Sequence, residues 1–163
     1  MGLETLEPRH LLTGGFWSQM LLTPQTVDPV AVQAVDLDAD GDVDILVAQT
    51  RPVWLENTDG VGTLGNPRRV TEDRSSTVVP ADVDGDGDLD LYVARYLAYR
   101  PDIACNGLDL APDYCGPKAY DGVSDILYRN DGTTFTDVTD SAGVDLPGKG
   151  LGVVAADFSG DGW

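Results

Sequence analysis

Apolar residues along this chain occur in short runs, separated by turns rich in aspartate and glycine. Runs of this length, bounded by Gly, Asp and Asn, are typical of β-strands rather than helices. Several runs contain the β-branched and aromatic residues that strands favour. The pattern predicts strands at 30–35, 45–48, 53–57, 68–70, 89–94, 125–130 and 135–138, together with the segments 77–81 and 151–156 that lead into acidic turns.

Two of the turns carry aspartate at every second position. We call residues 36–44 loop 1 and residues 82–90 loop 2. Carboxylates this close repel one another unless water or a cation separates them. Ca²⁺ takes oxygen ligands from alternate loop positions, with glycine sixth for the sharp turn. Gly41 and Gly87 are sixth in these loops, so the spacing predicts calcium sites.

A third copy, loop 3, spans residues 157–163, with Asp157 first, Ser159 third and Asp161 fifth. A polyacidic turn without metal is the alternative reading, but three copies of one ligand spacing favour the metal. An EF-hand is disfavoured because its twelfth residue should be a bidentate glutamate. Val47 and Val93 occupy that position here, within strand-like runs.

The acidic loops mark an internal repeat. The first positions of loops 1 and 2 lie 46 residues apart, and those of loops 2 and 3 lie 75 apart. The excess is close to the length of the irregular segment 95–122, which we interpret as an insertion between two strands of one repeat. Four short strands in about 45 residues are typical of a β-propeller blade. We therefore expect an all-β partial propeller of about two blades plus part of another.

Propellers close with roughly four to eight blades. The chain is therefore expected to be part of a longer protein, or to build its ring from several copies. By domain, we expect an N-terminal tail at 1–15 and propeller repeats at 16–163.

Composition narrows the possible partners. The chain has 163 residues, 28 acidic and 10 basic, and a formal net charge of −18. Nucleic acid is an unfavourable partner because a binder needs a basic footprint. No apolar run approaches the roughly 18 residues of a membrane-spanning helix. The two cysteines, Cys105 and Cys115, form a disulfide if the protein is exported and remain free thiols otherwise.

The repeats resemble FG-GAP/VCBS repeats, as in the propellers of integrin α-subunits. The resemblance rests on the two full loops and the apolar runs that follow them, residues 44–48 and 90–94. Segments 114–117, 125–130, 135–139 and 142–143 further resemble the bacterial ASPIC/UnbV proteins, relatives of the cartilage acidic protein family. Residues 6–12 resemble the LEPR-XLL motif found near the N-termini of large bacterial surface and exported proteins.

The resemblance implies a secreted propeller stabilised by Ca²⁺, with ligands from loop positions 1, 3, 5 and 9 and a backbone carbonyl at position 7. Side-chain ligands would be Asp36, Asp38, Asp40 and Asp44 in loop 1, Asp82, Asp84, Asp86 and Asp90 in loop 2, and Asp157, Ser159 and Asp161 in loop 3. Carbonyl ligands would be Asp42, Asp88 and Trp163.

Two functions remain open from the sequence. The first is a secreted or cell-surface module that binds a protein or glycan, with structural Ca²⁺. The second is part of a Ca²⁺-dependent propeller enzyme, a polysaccharide lyase or hydrolase, whose catalytic residues lie outside this chain. We expect no catalytic residue within it, because its paired carboxylates sit at metal-ligand spacing and its one histidine, His10, lies in the tail.

Overall fold

The described part of the chain is built almost entirely from short β-strands. The computed structural model describes residues 31–107, 111–132 and 134–160. Its strands are β1 (Ala31–Val35), β2 (Asp44–Ala48), β3 (Val53–Leu55), β4 (Arg68–Arg69), β5 (Thr77–Ala81), β6 (Asp90–Ala94), β7 (Cys105–Asn106), β8 (Pro112–Asp113), β9 (Ile126–Asn130) and β10 (Phe135–Asp137). A 3₁₀ turn at Pro117–Ala119 and one helix, α1 (Thr139–Ala142), complete it. The all-β class predicted from the sequence is confirmed.

Eight strands form two antiparallel sheets of four, in the orders β1-β2-β3-β4 and β5-β6-β9-β10. We call them blade 1 and blade 2. In each blade the first strand pairs with the second over five residues, from Ala31↔Ala48 to Val35↔Asp44 and from Thr77↔Ala94 to Ala81↔Asp90. Loops 1 and 2 therefore make the same connection in two blades. The described residues contain two such blades and no closed ring.

An insertion joins β6 to β9 in blade 2, at the place where the loop spacing predicts one. These two strands pair directly, with Val93 opposite Ile126, although more than thirty positions separate them in sequence. The insertion contains the β7–β8 pair and the 3₁₀ turn. A disulfide joins Cys105 to Cys115, whose Cα atoms lie 5.2 Å apart.

The main core lies between the two blades. Buried side chains from both sheets form one cluster: Leu37, Leu46, Ala48 and Trp54 from blade 1, and Val78, Leu91, Val93 and Ile126 from blade 2. A second cluster on the opposite face of blade 1 contains Ile45, Val47, Val53 and Leu55. Strand β2 is thus buried on both faces, which explains its continuous apolar sequence.

The third repeat differs from the first two. Residues 77–81 form β5, whereas 151–156 form no strand, although both segments lead into an acidic loop. A strand needs a neighbour to receive its hydrogen bonds, and none of the described residues pairs with this segment. Leu151, Val154 and Phe158 are left exposed. Helix α1 has only four residues, and no helix in the described ranges could span a bilayer.

Candidate metal centre

Loop 1 brings three carboxylates together at the end of blade 1. Oxygens of Asp36, Asp38 and Asp40 all lie within 4.8 Å of one another. Backbone amides shape this turn: Gly41 donates to Asp36 Oδ2 at 3.0 Å, and Asp42 donates to Asp40 Oδ1 at 2.8 Å. Three converging carboxylates at loop positions 1, 3 and 5 form the donor set that a hard cation such as Ca²⁺ prefers.

Two oxygens in loop 1 are buried without a hydrogen-bond partner. They are Asp36 Oδ1 and Asp38 Oδ1. A buried acceptor left unpaired is costly, and folded proteins rarely tolerate one without an ion or water beside it. These oxygens therefore fit a bound cation better than they fit a turn that holds no ion.

The electrostatics of loop 1 agree with that fit. Burial raises the pKa of Asp38, and the charges of Asp44 and Asp40 raise it further. Desolvation, followed by the charges of Asp40 and Asp36, likewise raises the pKa of Asp42. Both shifts have the direction expected where neighbouring carboxylates make negative charge unfavourable, at Asp38 and at Asp42. A divalent cation among the carboxylates would reverse that interaction.

Loop 2 has the same spacing in a more exposed setting. Oxygens of Asp82, Asp84 and Asp86 lie within 4.8 Å of one another, and all three residues are exposed. Asp82 accepts from the amides of Gly85 at 2.7 Å and Gly87 at 3.2 Å. This loop therefore offers the same three ligands, while its own backbone already satisfies both oxygens of Asp82.

Position 4 needs a left-handed backbone, which we did not anticipate from the spacing. Gly85 has φ +79° and Gly160 has φ +76°, but the corresponding residue of loop 1 is Ala39, with φ +56°. A residue with a Cβ pays roughly 1–2 kcal/mol in this conformation. Loop 1 consequently holds backbone strain that loop 2 avoids.

The aspartates at position 9 make different contacts from those at positions 1, 3 and 5. Asp44 is fully buried and accepts from Leu37 N at 3.2 Å, Trp54 Nε1 at 3.0 Å and Asn57 N at 2.8 Å. The sets of three converging oxygens in the described residues do not include it. It ties the start of loop 1 to strand β3 and the residues after it.

Asp90 plays the same part in blade 2. It is fully buried and accepts from Val83 N at 2.9 Å and Asn130 N at 2.8 Å. Asp44 and Asp90 are the first residues of the apolar strands that follow the loops. Their hydrogen bonds hold the two ends of each loop together. Their binding of an ion stays a prediction from the family resemblance.

Position 7 lies beside a second turn in each blade. A Cβ on Gly60, in the Asp59-Gly60 turn, would meet the Asp42 carboxylate, which would have to move aside. In blade 2, Asp88 Oδ2 lies 3.7 Å from the place that a Cβ on Gly132 would take. The Asp-Gly turns at 59–60 and 131–132 therefore border the acidic loops.

An asparagine before each of these turns holds the loop in place. Asn57 Nδ2 donates to Val43 O at 3.2 Å, and Asn130 Nδ2 donates to Leu89 O at 3.2 Å. Asn130 also donates to Leu37 O at 2.8 Å, which connects blade 2 to loop 1. We did not identify these asparagines as site residues, although both precede an Asp-Gly pair by one or two residues.

The described part of loop 3 is short. Asp157 Oδ1 accepts from Ser159 N at 3.1 Å and Gly160 N at 2.6 Å. Asp161 and Trp163 lie outside the described residues, as do the tail at 1–15 and its LEPR-XLL-like motif. A metal site in loop 3 therefore stays a prediction.

Comparison with known proteins gives one family match. Residues 36–93 match the FG-GAP-like repeat, a range that starts at the first residue of loop 1 and ends within β6. It covers about a third of the chain and contains both complete acidic loops. No curated protein and no solved structure matches the chain. The match supports an FG-GAP/VCBS repeat protein with propeller-type blades.

Proposed function

We propose that this chain is a calcium-binding propeller module that acts outside the cell in adhesion or in binding a protein or glycan. One observation carries the proposal. The same strand-to-strand loop recurs in two blades with three converging carboxylates, and in loop 1 two of the oxygens are buried without a partner. That arrangement is costly alone and favourable around a cation.

The role we propose for Ca²⁺ is structural. The ion would supply positive charge among Asp36, Asp38 and Asp40 in loop 1 and among Asp82, Asp84 and Asp86 in loop 2. Each loop joins the first two strands of its blade, so an ion there favours the folded blade over the open chain by mass action. Affinities of about 10⁻⁴–10⁻³ M, the range of extracellular modules, would be sufficient.

Export and the finer family assignment belong to the same proposal. A disulfide in the insertion is consistent with an oxidising compartment. Within the FG-GAP/VCBS group we assign the chain to the ASPIC/UnbV, cartilage acidic protein-like kind, with an N-terminal LEPR-XLL motif. The role is non-catalytic, because the grouped carboxylates of the described residues are arranged as ligand sets rather than as an acid–base pair around a cleft.

Isothermal titration tests the metal sites. The full chain, stripped with EDTA and titrated with CaCl₂, should show at least two sites. Asp38→Ala should remove or weaken one and Asp84→Ala the other, because each deletes the central carboxylate of a converging set. Asp145→Ala, an exposed carboxylate outside the loops, is the matched control and should change nothing. Absence of heat, with a melting temperature that ignores both Ca²⁺ and EDTA, would refute the proposal.

Self-association or further blades belong to this proposal as well. Leu151, Val154 and Phe158 are exposed, and at least about three repeat units are generally needed for stability. We expect light scattering with size exclusion in millimolar Ca²⁺ to show a defined oligomer, an aggregate or a molten chain. A sharp monomer peak with cooperative unfolding would contradict this expectation.

A further inference from the structure

The insertion places four of the six tyrosines around one cleft. Tyr96, Tyr99, Tyr114 and Tyr120 line a space of about 400 Å³, together with Ile103 and Asp113. The Tyr99 and Tyr120 rings lie 5.5 Å apart between centroids, tilted by 41°. Tyr114 is 98% exposed. Exposed aromatic rings grouped in this way mark a binding surface more often than a core.

The disulfide holds this cleft together. Cys115 lines it, directly after Tyr114, and is bonded to Cys105. The Cys115 sulfur also lies 3.6 Å from Ile103 O on the opposite side of the insertion. Gly107 N donates to Ala111 O at 2.9 Å, which closes the β7–β8 turn. The rings are therefore presented by a cross-linked support.

The tyrosine hydroxyls divide into two groups. In blade 2, Tyr92 donates to Asp125 at 3.0 Å and Tyr128 donates to Thr71 at 2.8 Å. The four cleft tyrosines make no hydroxyl hydrogen bond within the part of the chain that the structure describes. Their hydroxyls are left for a ligand, and the exposed Tyr114 ring adds an apolar face, whereas the blade tyrosines already use their hydroxyls in the fold.

The charges around the cleft favour a neutral ligand. Arg74 lies over the Tyr99 ring at 5.7 Å, Arg100 pairs with Asp102 at 2.7 Å, and Lys149 donates to Pro117 O at 2.8 Å. These three cations are thus engaged by the protein, whereas Lys118, exposed in the neighbouring 3₁₀ turn, forms no ion pair among the described residues. Asp113 supplies a carboxylate acceptor at the rim. A sugar ring has an apolar face for stacking and hydroxyls for hydrogen bonds, which matches this lining.

We propose that the tyrosine cleft of the insertion binds a neutral polysaccharide. This inference rests on the binding role proposed above and gives it a site and a ligand class. Tyr99 and Tyr114 stack on sugar rings, and Asp113 accepts from sugar hydroxyls. The acidic loops support the blade from which the insertion leaves and do not contact the glycan.

Affinity electrophoresis tests the cleft, because an acidic chain migrates readily in native gels. The full chain is run in millimolar Ca²⁺ through gels containing hydroxyethyl cellulose, xylan, galactomannan or dextran. At least one should retard it. Tyr99→Ala and Tyr114→Ala should each weaken that retardation by about threefold to tenfold, the range of one aromatic stacking contact. Tyr114→Phe, which keeps the ring, should lose less. Phe158→Ala, an exposed aromatic outside the cleft, should lose nothing.

Three outcomes overturn the proposal: no retardation in any gel, retardation that the tyrosine variants leave unchanged, or binding of an arginine-rich peptide at the cleft with no polysaccharide binding. The result is separable from the calcium titration. A chain that binds Ca²⁺ but no polysaccharide refutes the cleft alone. A chain that is retarded through its tyrosines but takes no Ca²⁺ refutes the metal sites alone.

Discussion

Loops 1 and 2 share one ligand spacing but differ in their surroundings. In loop 1 the second residue, Leu37, is buried in the core between the blades, and two carboxylate oxygens are buried beside it. In loop 2 the second residue, Val83, is exposed, and so are the three converging aspartates. The neighbour makes the difference: blade 2 packs on loop 1, whereas no described blade packs on loop 2.

This comparison shows that the sequence of an acidic loop does not alone determine how strongly the loop needs an ion. Asp38 of loop 1 is partly buried, and desolvation increases the cost of its charge. Loop 2 remains hydrated and satisfies several of its oxygens with its own amides. Calcium should therefore matter most where two blades meet.

The largest expected effect comes from the buried aspartates at position 9. Asp44→Ala leaves three donors without an acceptor and should cost about 4 kcal/mol of unfolding free energy, whereas Asp90→Ala leaves two and should cost about 3. Urea unfolding of the full chain in Ca²⁺ measures both. Asp44→Asn and Asp90→Asn retain one acceptor each and serve as controls. Losses below 1 kcal/mol would show that these hydrogen bonds contribute little.

Calcium removal should separate the two loops. At a hundredfold excess over its dissociation constant, an ion stabilises the folded chain by about 2.7 kcal/mol. The Asp84→Ala background reports on loop 1 alone, and the Asp38→Ala background reports on loop 2 alone. The free energy of unfolding should differ more between Ca²⁺ and EDTA for loop 1 than for loop 2, because the buried oxygens of loop 1 have no other partner.

Asn130→Ala sharpens this test, because it removes the side-chain amide that donates to Leu37 O of loop 1 at 2.8 Å as well as to Leu89 O of loop 2 at 3.2 Å. Asn57→Ala, which removes the matching bond to Val43 O within blade 1, controls for the loss of loop support. With Asn130→Ala, the unfolding free energy gained from Ca²⁺ should fall more in the Asp84→Ala background, which reports on loop 1, than in the Asp38→Ala background, which reports on loop 2. Equal effects in both backgrounds would mean that the neighbouring blade does not set the need for the ion.

The smallest effect should come from position 4. Ala39→Gly relieves a left-handed alanine and should stabilise the chain by up to about 1 kcal/mol, while Gly85→Ala should destabilise it by about the same amount. Thermal unfolding in saturating Ca²⁺ measures the pair. The two changes in unfolding free energy are expected to have opposite signs. Equal signs would mean that the two loops have different backbones at this position in solution.

Much of the fold could be predicted from local chemistry. Short apolar runs predicted most strands of both blades to within a few residues, since each strand has a neighbour in its own sheet. Strand β4 is the exception, because it consists of two exposed arginines before Val70. The segment 151–156 has similar chemistry but forms no strand. Its backbone has no partner among the described residues, so a run of strand-forming residues alone was insufficient.

Only the part of the candidate site that lies within one loop could be predicted from the sequence. Alternating aspartates indicated convergence at positions 1, 3 and 5, because one short loop contains all three. The contacts of Asp44 with Trp54 and of Asn130 with Leu37 join residues 10 and 93 positions apart. No local pattern encodes such distances. The left-handed Ala39 was hidden too, because alanine carries no signal for that conformation.

The bond from Asn130 to Leu37 O has a thermodynamic consequence. If loop 1 binds an ion, this bond couples that binding to the docking of blade 2, and linkage requires each to favour the other equally. Asn57 occupies the same place in blade 1 that Asn130 occupies in blade 2. If this contact repeats around a ring, occupancy of one loop propagates to the next blade, and the assembly would respond to calcium cooperatively, with a steeper dependence than independent loops would give.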